Sequence, residues 1–371
     1  MRRRPYALPF PDQVPLLIEL ALAGPGPLRP ADPGELVEAA VHHGLAGHAL
    51  AAARSGRLEL PHPAVSDLSR VHRAQVVRST ALRLELPKVA EVVAGATGSE
   101  PVLLKGPAFA DRFEPDPDRR PFGDLDLLVP RDRLDAAARA LRKRGFEELV
   151  EFDDGFAARY GHDIHLRRAV GNGWLDVELH WRMGDDPVCE ALDHGAFAPD
   201  AEPLALPGRD VLVPSPADQL LVAAVHLLSD RARKVGWLLD VVNVARALGD
   251  QQWHDAFARA DARGLGWAVD RSLDYARHHL RYERERPRGP VAPPPFGPLR
   301  AVEASDAPVA LHAGRLAAME GWRERATYLR TVVAPPEEGL RGTVGHDGTG
   351  GWRLAARHAR AIAGGFRRRR W

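Results

Sequence analysis

The sequence predicts an α+β fold, a small mixed β-sheet flanked by helical segments on its N- and C-terminal sides. Three observations carry that prediction. Apolar residues recur at helical spacing from the N-terminus to about residue 98, and again from about residue 201 to 286. Between these segments the period shortens: Val102-Leu103-Leu104 is an apolar run stopped by Gly106-Pro107, and Phe122 to Val129 carries a second run interrupted by two aspartates. A third stretch, Trp174 to Trp181, alternates, with Leu175, Val177, Leu179 and Trp181 on one face and Trp174, Asp176, Glu178 and His180 on the other. Strand and helix patterns interleaved in one block make an α+β layer with helices covering a small sheet.

Taken in order, residues 1–98 form an N-terminal helical domain. Asp32-Pro33-Gly34-Glu35 reads as a cap, a proline at the first helical position and a capping-box glutamate, followed by Leu36, Val37, Ala40 and Val41 at helical spacing. Gly56 is a plausible stop. A second helix runs from Pro63 through Val65, Leu68, Val71, Val76 and Leu82, with Pro87 expected to break or kink it before Val89, Val92 and Val93. No chemistry is visible in this segment.

Residues 99–200 hold the sheet. After the Val102 strand, Ala108 to Phe113 has room for one or two helical turns; the strand Leu125 to Val129 follows, then a helix from Arg131 to Arg144 with Leu134, Ala138 and Leu141 as its stripe and Gly145 as its stop. Residues 201–286 are helical again: Ser215-Pro216-Ala217-Asp218 starts one helix, and Trp237-Leu238-Leu239-Asp240-Val241 begins or continues another. Residues 287–371 form a linker and tail, with six prolines and two glycines between Pro287 and Pro298, a helix near 307–333, a Gly-rich loop and a basic end of four arginines before Trp371.

The stretch around Phe122-Gly123-Asp124-Leu125-Asp126 is the one with chemical content. Successive side chains in a strand point to opposite faces, so Asp124 and Asp126 project side by side while Leu125 and Leu127 go the other way. Two carboxylates about 4 Å apart repel by roughly 4 kcal/mol at an effective dielectric near 20. Such a pair needs a cation or a proton. Hard divalent ions take carboxylate oxygens and keep positions for substrate phosphates, which makes phosphate chemistry the first hypothesis. A solvated edge strand with two exposed acids needs neither, and on the aspartates alone both readings stand.

Composition narrows the class. Lys and Arg number 51 against 50 Asp and Glu, which does not indicate a protein wrapped along nucleic acid. The single cysteine, Cys189, excludes an intrachain disulfide framework and a Cys-rich zinc site, and a reducing cytoplasm is the expected location. Met1-Arg2-Arg3-Arg4-Pro5 is followed by Pro9, Pro11 and Pro15 with no signal-peptide core between, and no apolar run of membrane-spanning length occurs, so membrane insertion is not expected. His162, His165 and His180 raise a zinc reading, but His-x-x-His is not a helical i, i+4 pair and no cysteine assists. Trp174 and Trp181 are candidates to stack on a base or to fill the core, and Cys189 has no neighbouring base in sequence.

The order Lys105-Gly106, Asp124-x-Asp126 and then an acidic strand resembles the nucleotidyltransferase superfamily that contains DNA polymerase β. It is closer still to the uncharacterised nucleotidyltransferase family of bacterial proteins, at Leu103-Leu104-Lys105-Gly106, at Arg120-Pro121-x-Gly123-Asp124-Leu125-Asp126-Leu127-Leu128-Val129 and at Glu178-Leu179-His180-Trp181. Weaker likeness extends to His43-Gly44-Leu45 and Trp237-Leu238-Leu239-Asp240, so it covers the chain to about Leu280. The resemblance implies an enzyme that transfers NMP from an NTP, most simply ATP, to an acceptor, with Mg²⁺ or Mn²⁺ held by Asp124, Asp126 and Glu178. Asp176 is the fallback for the third carboxylate. It also implies nucleotide contacts from Lys105, Gly106, Arg120 and Gly123, with His180 on the base or acceptor side, and acceptor selection in residues 201–286. One departure is plain: the superfamily places a serine after its glycine, and here Pro107 stands there, leaving phosphate to Gly106, Lys105 and helix N-terminal amides. The acceptor stays open among a small metabolite, a sugar phosphate, a peptide and another protein. A non-catalytic nucleotide-binding or adaptor protein on the same fold, or a transferase of another phosphate-linked group, is the alternative.

Overall fold

The computed structural model describes residues 8–149 except 25, residues 161–287 except 172, 185 and 231, and beyond these 297, 301, 309–319 and 321–333. The Gly-rich loop and the arginine tail lie outside the described residues, as does most of the proline-rich stretch.

Seven strands form one mixed sheet. They are β1 (Val102–Leu103), β2 (Leu125–Leu128), β3 (Glu147–Glu148), β4 (Asp163–Val170), β5 (Gly173–His180), β6 (Glu202–Leu204) and β7 (Val211–Val213), in the order β3-β4-β5-β2-β1-β7-β6. β2 is central, parallel to β5 on one side and antiparallel to β1 on the other, and all four of its residues are buried. The mixed sheet between helical segments is as the sequence predicts. Four strands went unread there: the two-residue β3, β4, which runs antiparallel to β5, and the three-residue pair β6 and β7 at the far edge, which carry the sheet past residue 200 into the segment expected to be helical.

Side-chain alternation in the central strands sorts the sheet's two faces. Leu103, Leu125, Leu127 and Val129 pack with helix α6 (Leu134–Arg142) and the second half of helix α4 (His62–Thr97). Val102, Leu104 and Leu128 join a larger core built from α1 (Val14–Ala21), α2 (Pro33–His42) and α3 (Ala46–Arg54) together with the short α7 (His194–Phe197), α8 (Pro216–Ser229), α9 (Val235–Ala247), α10 (Asp250–Ala262) and α11 (Gly266–Leu280). Helices from both ends of the chain thus share one core, and Asp126 sits on the face turned toward it. Helix α4 serves both cores, Leu68 in one and Leu82, Leu86, Val89 and Val93 in the other. It runs unbroken through Pro87, which is itself buried. An interior proline costs about 3 kcal/mol, and burying the flanking Leu86 and Val89, each worth roughly 1.5–3 kcal/mol, offsets that.

Several helix starts follow the sequence signals. Asp32 accepts from the Glu35 amide at 3.0 Å to cap α2, and Ser215 accepts from the Asp218 amide to cap α8. The helix predicted near 307–333 is two, α12 (Val309–Ala318) and α13 (Trp322–Val333).

Candidate active site

Parallel pairing of β2 with β5 places Asp126 directly beside Glu178, and antiparallel pairing of β5 with β4 places His165 opposite Glu178 and Asp163 opposite His180. Paired residues share a face, so Asp126, Glu178, His180, Asp163 and His165 form one polar patch on an otherwise apolar sheet. Register is the reason: a one-residue slip of β5 would send Glu178 to the opposite side.

Asp126 is 1% exposed and gathers two cations. Lys105 Nζ lies 2.8 Å from its Oδ1, and His180 Nε2 lies 3.1 Å from the same atom and 3.3 Å from Glu178 Oε2. Burial would push the Asp126 carboxyl up, but Lys105 and His180 outweigh it and hold it well below the usual carboxylate range. The same contacts answer in the partners. Burial opposes the charge on both, yet Asp126 raises Lys105 above its ordinary value, and Asp126 and Glu178 raise His180 to about 10, so the imidazole is a cation at neutral pH. Asp124 is different: burial first, then repulsion from Asp126 and Glu178, pushes it up to about 6.

Asp126, Glu178 and His180 offer ligand atoms within 4.8 Å of one another. The two carboxylate oxygens fit a divalent ion such as Mg²⁺ or Mn²⁺, and the His180 nitrogen would join them only on giving up its proton. Asp124 stands outside that group, on the wall shared by two cavities. One, of about 460 Å³, is bordered by Asp124, Glu178, His165, Arg78 and Arg167. The other, of about 300 Å³, faces the helical body and is bordered by Asp124, Asp126, Lys105, Gly106 and residues of α9.

The remaining expected residues take up defined places. Asp176 shares the face of Glu178 but is held by Arg78 and by Arg167 Nε at 2.5 Å. Arg120 binds Asp240 of α9 with both sides of its fork, Nη2 at 2.7 Å, donates from Nη1 to the Gly106 carbonyl and lies over the Phe109 ring. Gly123 presents its carbonyl to Arg78 at 2.6 Å. His180 is 2% exposed, beneath the carboxylates rather than at a surface a base could reach. Trp181 is core, whereas Trp174 is 53% exposed with Arg167 over its ring. Cys189 is buried.

One part of the expectation about phosphate, the helix N-terminal amides, is corrected. Gly106 takes φ +60° and starts the short helix α5 (Pro107–Phe113), but Pro107 has no amide hydrogen, the Ala108 amide donates to the Lys105 carbonyl and the Phe109 and Ala110 amides to that of Gly106. These three amides are spent within the turn. Sequence reading also missed Asp163, Arg78 and Arg167 at the site, because β4 and the contact of α4 with β5 were not visible in it; Gly171-Asn172 between two polar strands was the available hairpin signal.

A family model described as uncharacterised nucleotidyltransferase matches residues 29–281, a span that holds the whole sheet and the helical body apart from α1. No curated protein matches the chain.

Proposed function

The chain belongs to the uncharacterised nucleotidyltransferase family, and from that premise we propose that it transfers NMP from an NTP, most simply ATP, to an acceptor, with Asp124, Asp126 and Glu178 as the metal-binding carboxylates. The observation that carries the proposal is Glu178 beside Asp126 on neighbouring parallel strands, both facing the cavities and both touching His180. A bound Mg²⁺ or Mn²⁺ would neutralise charge on the phosphates and on departing pyrophosphate.

The protein's own residues supply the rest. The acceptor oxygen bonds to the α-phosphorus as the bond to pyrophosphate breaks, and the acceptor's proton passes to Glu178, which borders the larger cavity together with Asp124. Lys105 reaches phosphate from its place against Asp126, and His180 holds Asp126 and Glu178 in position. Arg120 fixes the Gly106 turn to α9 through Asp240, which sets the width of the smaller cavity. Within residues 201–286, the helices that follow β6 and β7 select the acceptor. Among the described residues no helix is long and apolar enough to cross a membrane; the reaction is assigned to the cytoplasm, where nucleoside triphosphates and a reducing milieu suit a chain with one cysteine.

Pyrophosphate release is measured with each NTP, Mg²⁺ and a cell extract as acceptor source, with Asp124→Ala/Asp126→Ala as control. A wild-type signal no greater than that control would sink the enzyme reading and leave an adaptor on this fold; the mass shift of the product separates nucleotidyl transfer from transfer of another phosphate-linked group. Within this assay Glu178→Gln should lower turnover by about a hundredfold, the range for losing a positioned acid–base group. Asp176→Asn, whose partners are two arginines, should lower stability while turnover stays within a few-fold. The reverse ranking would make Asp176 the third carboxylate.

A further inference from the structure

The smaller cavity has a back wall that the catalytic carboxylates do not explain. It forms where two distant segments touch: the Val235 amide donates to His43 Nδ1 at 3.2 Å and the Gly236 amide to the His43 carbonyl at 2.9 Å. A Cβ on Gly236 would lie 2.6 Å from that carbonyl oxygen, so only glycine allows the approach. Lys234 and Trp237 border the cavity from this wall, the Lys234 ammonium 4.2 Å from the centre of the Trp237 ring, which also meets His226 at 4.9 Å.

A triphosphate needs more positive charge in this cavity than Lys105, which shares its ammonium with Asp126, can supply alone. Arg120 is paired with Asp240, and the Ala108, Phe109 and Ala110 amides are bonded within their own turn. Lys234 forms no ion pair among the described residues; its neighbour Asp230 is taken by His226 at 3.3 Å. Burial lowers the Lys234 ammonium's pKa against the pull of Asp230 and Asp124, the condition of a partly desolvated cation that an entering anion would stabilise.

We propose that this cavity is the triphosphate subsite and that Lys234 is its phosphate-binding cation, so that the nucleotide is held between the sheet and the helical body. The inference rests on the nucleotidyl-transfer reading and adds a residue, from the segment assigned above to acceptor selection, that grips the nucleotide instead. The ammonium serves as a point charge over the β- and γ-phosphates.

Titration calorimetry with Mg²⁺ tests it, using each NTP, the corresponding NMP and inorganic tripolyphosphate on the wild type, Lys234→Met, Lys234→Gln and Lys234→Arg, with Lys88→Met as a control at an exposed lysine paired with Glu85 on α4. The wild type should bind one NTP and tripolyphosphate. Lys234→Met and Lys234→Gln should each weaken both by at least about tenfold, the scale of one charge-assisted hydrogen bond, while NMP binding and melting temperature hold and Lys234→Arg recovers most of the affinity. An NTP-binding wild type with equally tight Lys234→Met and Lys234→Gln overturns the assignment of Lys234 alone. A wild type that binds no NTP and no tripolyphosphate removes the parent reading and this inference together.

Discussion

Asp126→Asn should abolish pyrophosphate release, by at least about a thousandfold, and should also destabilise the protein. Both effects come from one buried atom. Asp126 Oδ1 accepts from Lys105 and from His180, and its carboxylate offers a ligand atom within 4.8 Å of those of Glu178 and His180, which on the proposed function would hold the ion. Asparagine keeps the shape and removes the charge. Losing a direct ligand and its neutralising charge removes catalysis that depends on the ion. It also leaves Lys105 and His180 buried beside a neutral group, and stripping one partner from a buried ion pair costs about 3–5 kcal/mol. His180 then loses the Asp126 share of the interactions that raise it to about 10 while keeping Glu178 and Asp163, so its pKa falls. Thermal melting with and without Mn²⁺ reads both sides: wild type should rise with the ion, by about 2.7 kcal/mol at a hundred times its dissociation constant, and Asp126→Asn should start lower and not respond. Turnover within tenfold of wild type would place the ion-binding carboxylates elsewhere.

The central part of this site was legible because strand alternation is a rule about faces. Asp124, Asp126 and Glu178 could be placed on one side from their parity and from the resemblance of their motifs, and the pairing of β2 with β5 brings the last two together. What alternation cannot give is the neighbour of a strand. β4 carries Asp163, His165 and Arg167, but Arg167-Arg168 interrupts its pattern, so the residues that surround Glu178 stayed hidden. Long-range contacts are hidden for a different reason. Arg120 meets Asp240 at a separation of 120 residues, and His43 meets Val235 at 192. Each of these motifs was visible singly, and only packing shows that they make one cavity wall. The helical turn after Gly106 is the opposite case: its sequence promised free amides, and the i to i+3 bonds of a tight turn consume them.

Asp124→Asn should remove activity and yet stabilise the ion-free protein, the inverse of Asp126→Asn in stability. Asp124 has no cation against it as close as Lys105 is to Asp126, while burial and the charges of Asp126 and Glu178 raise it from 3.8 to about 6. A carboxyl raised in the folded state binds protons more tightly there than in the unfolded chain, so its ionisation works against folding. At neutral pH that rise is worth roughly 3 kcal/mol. The sign fixes the pH window. Above about pH 6 Asp124 is ionised in both states and the full cost is present; as pH falls through 6 the folded state takes up the proton first and the cost shrinks; below about 4 both states are protonated and nothing remains. The stability of Asp124→Asn minus that of wild type, measured by denaturant titration without divalent ions, should therefore be largest at pH 7–8 and close toward zero at pH 4. Saturating Mn²⁺ should reverse it, because wild type then gains an ion that the variant holds less well. A difference that stays flat from pH 4 to 8, or an asparagine variant less stable than wild type without the ion, would show that these carboxylates do not repel one another, and would remove the crowding argument for a metal at this site.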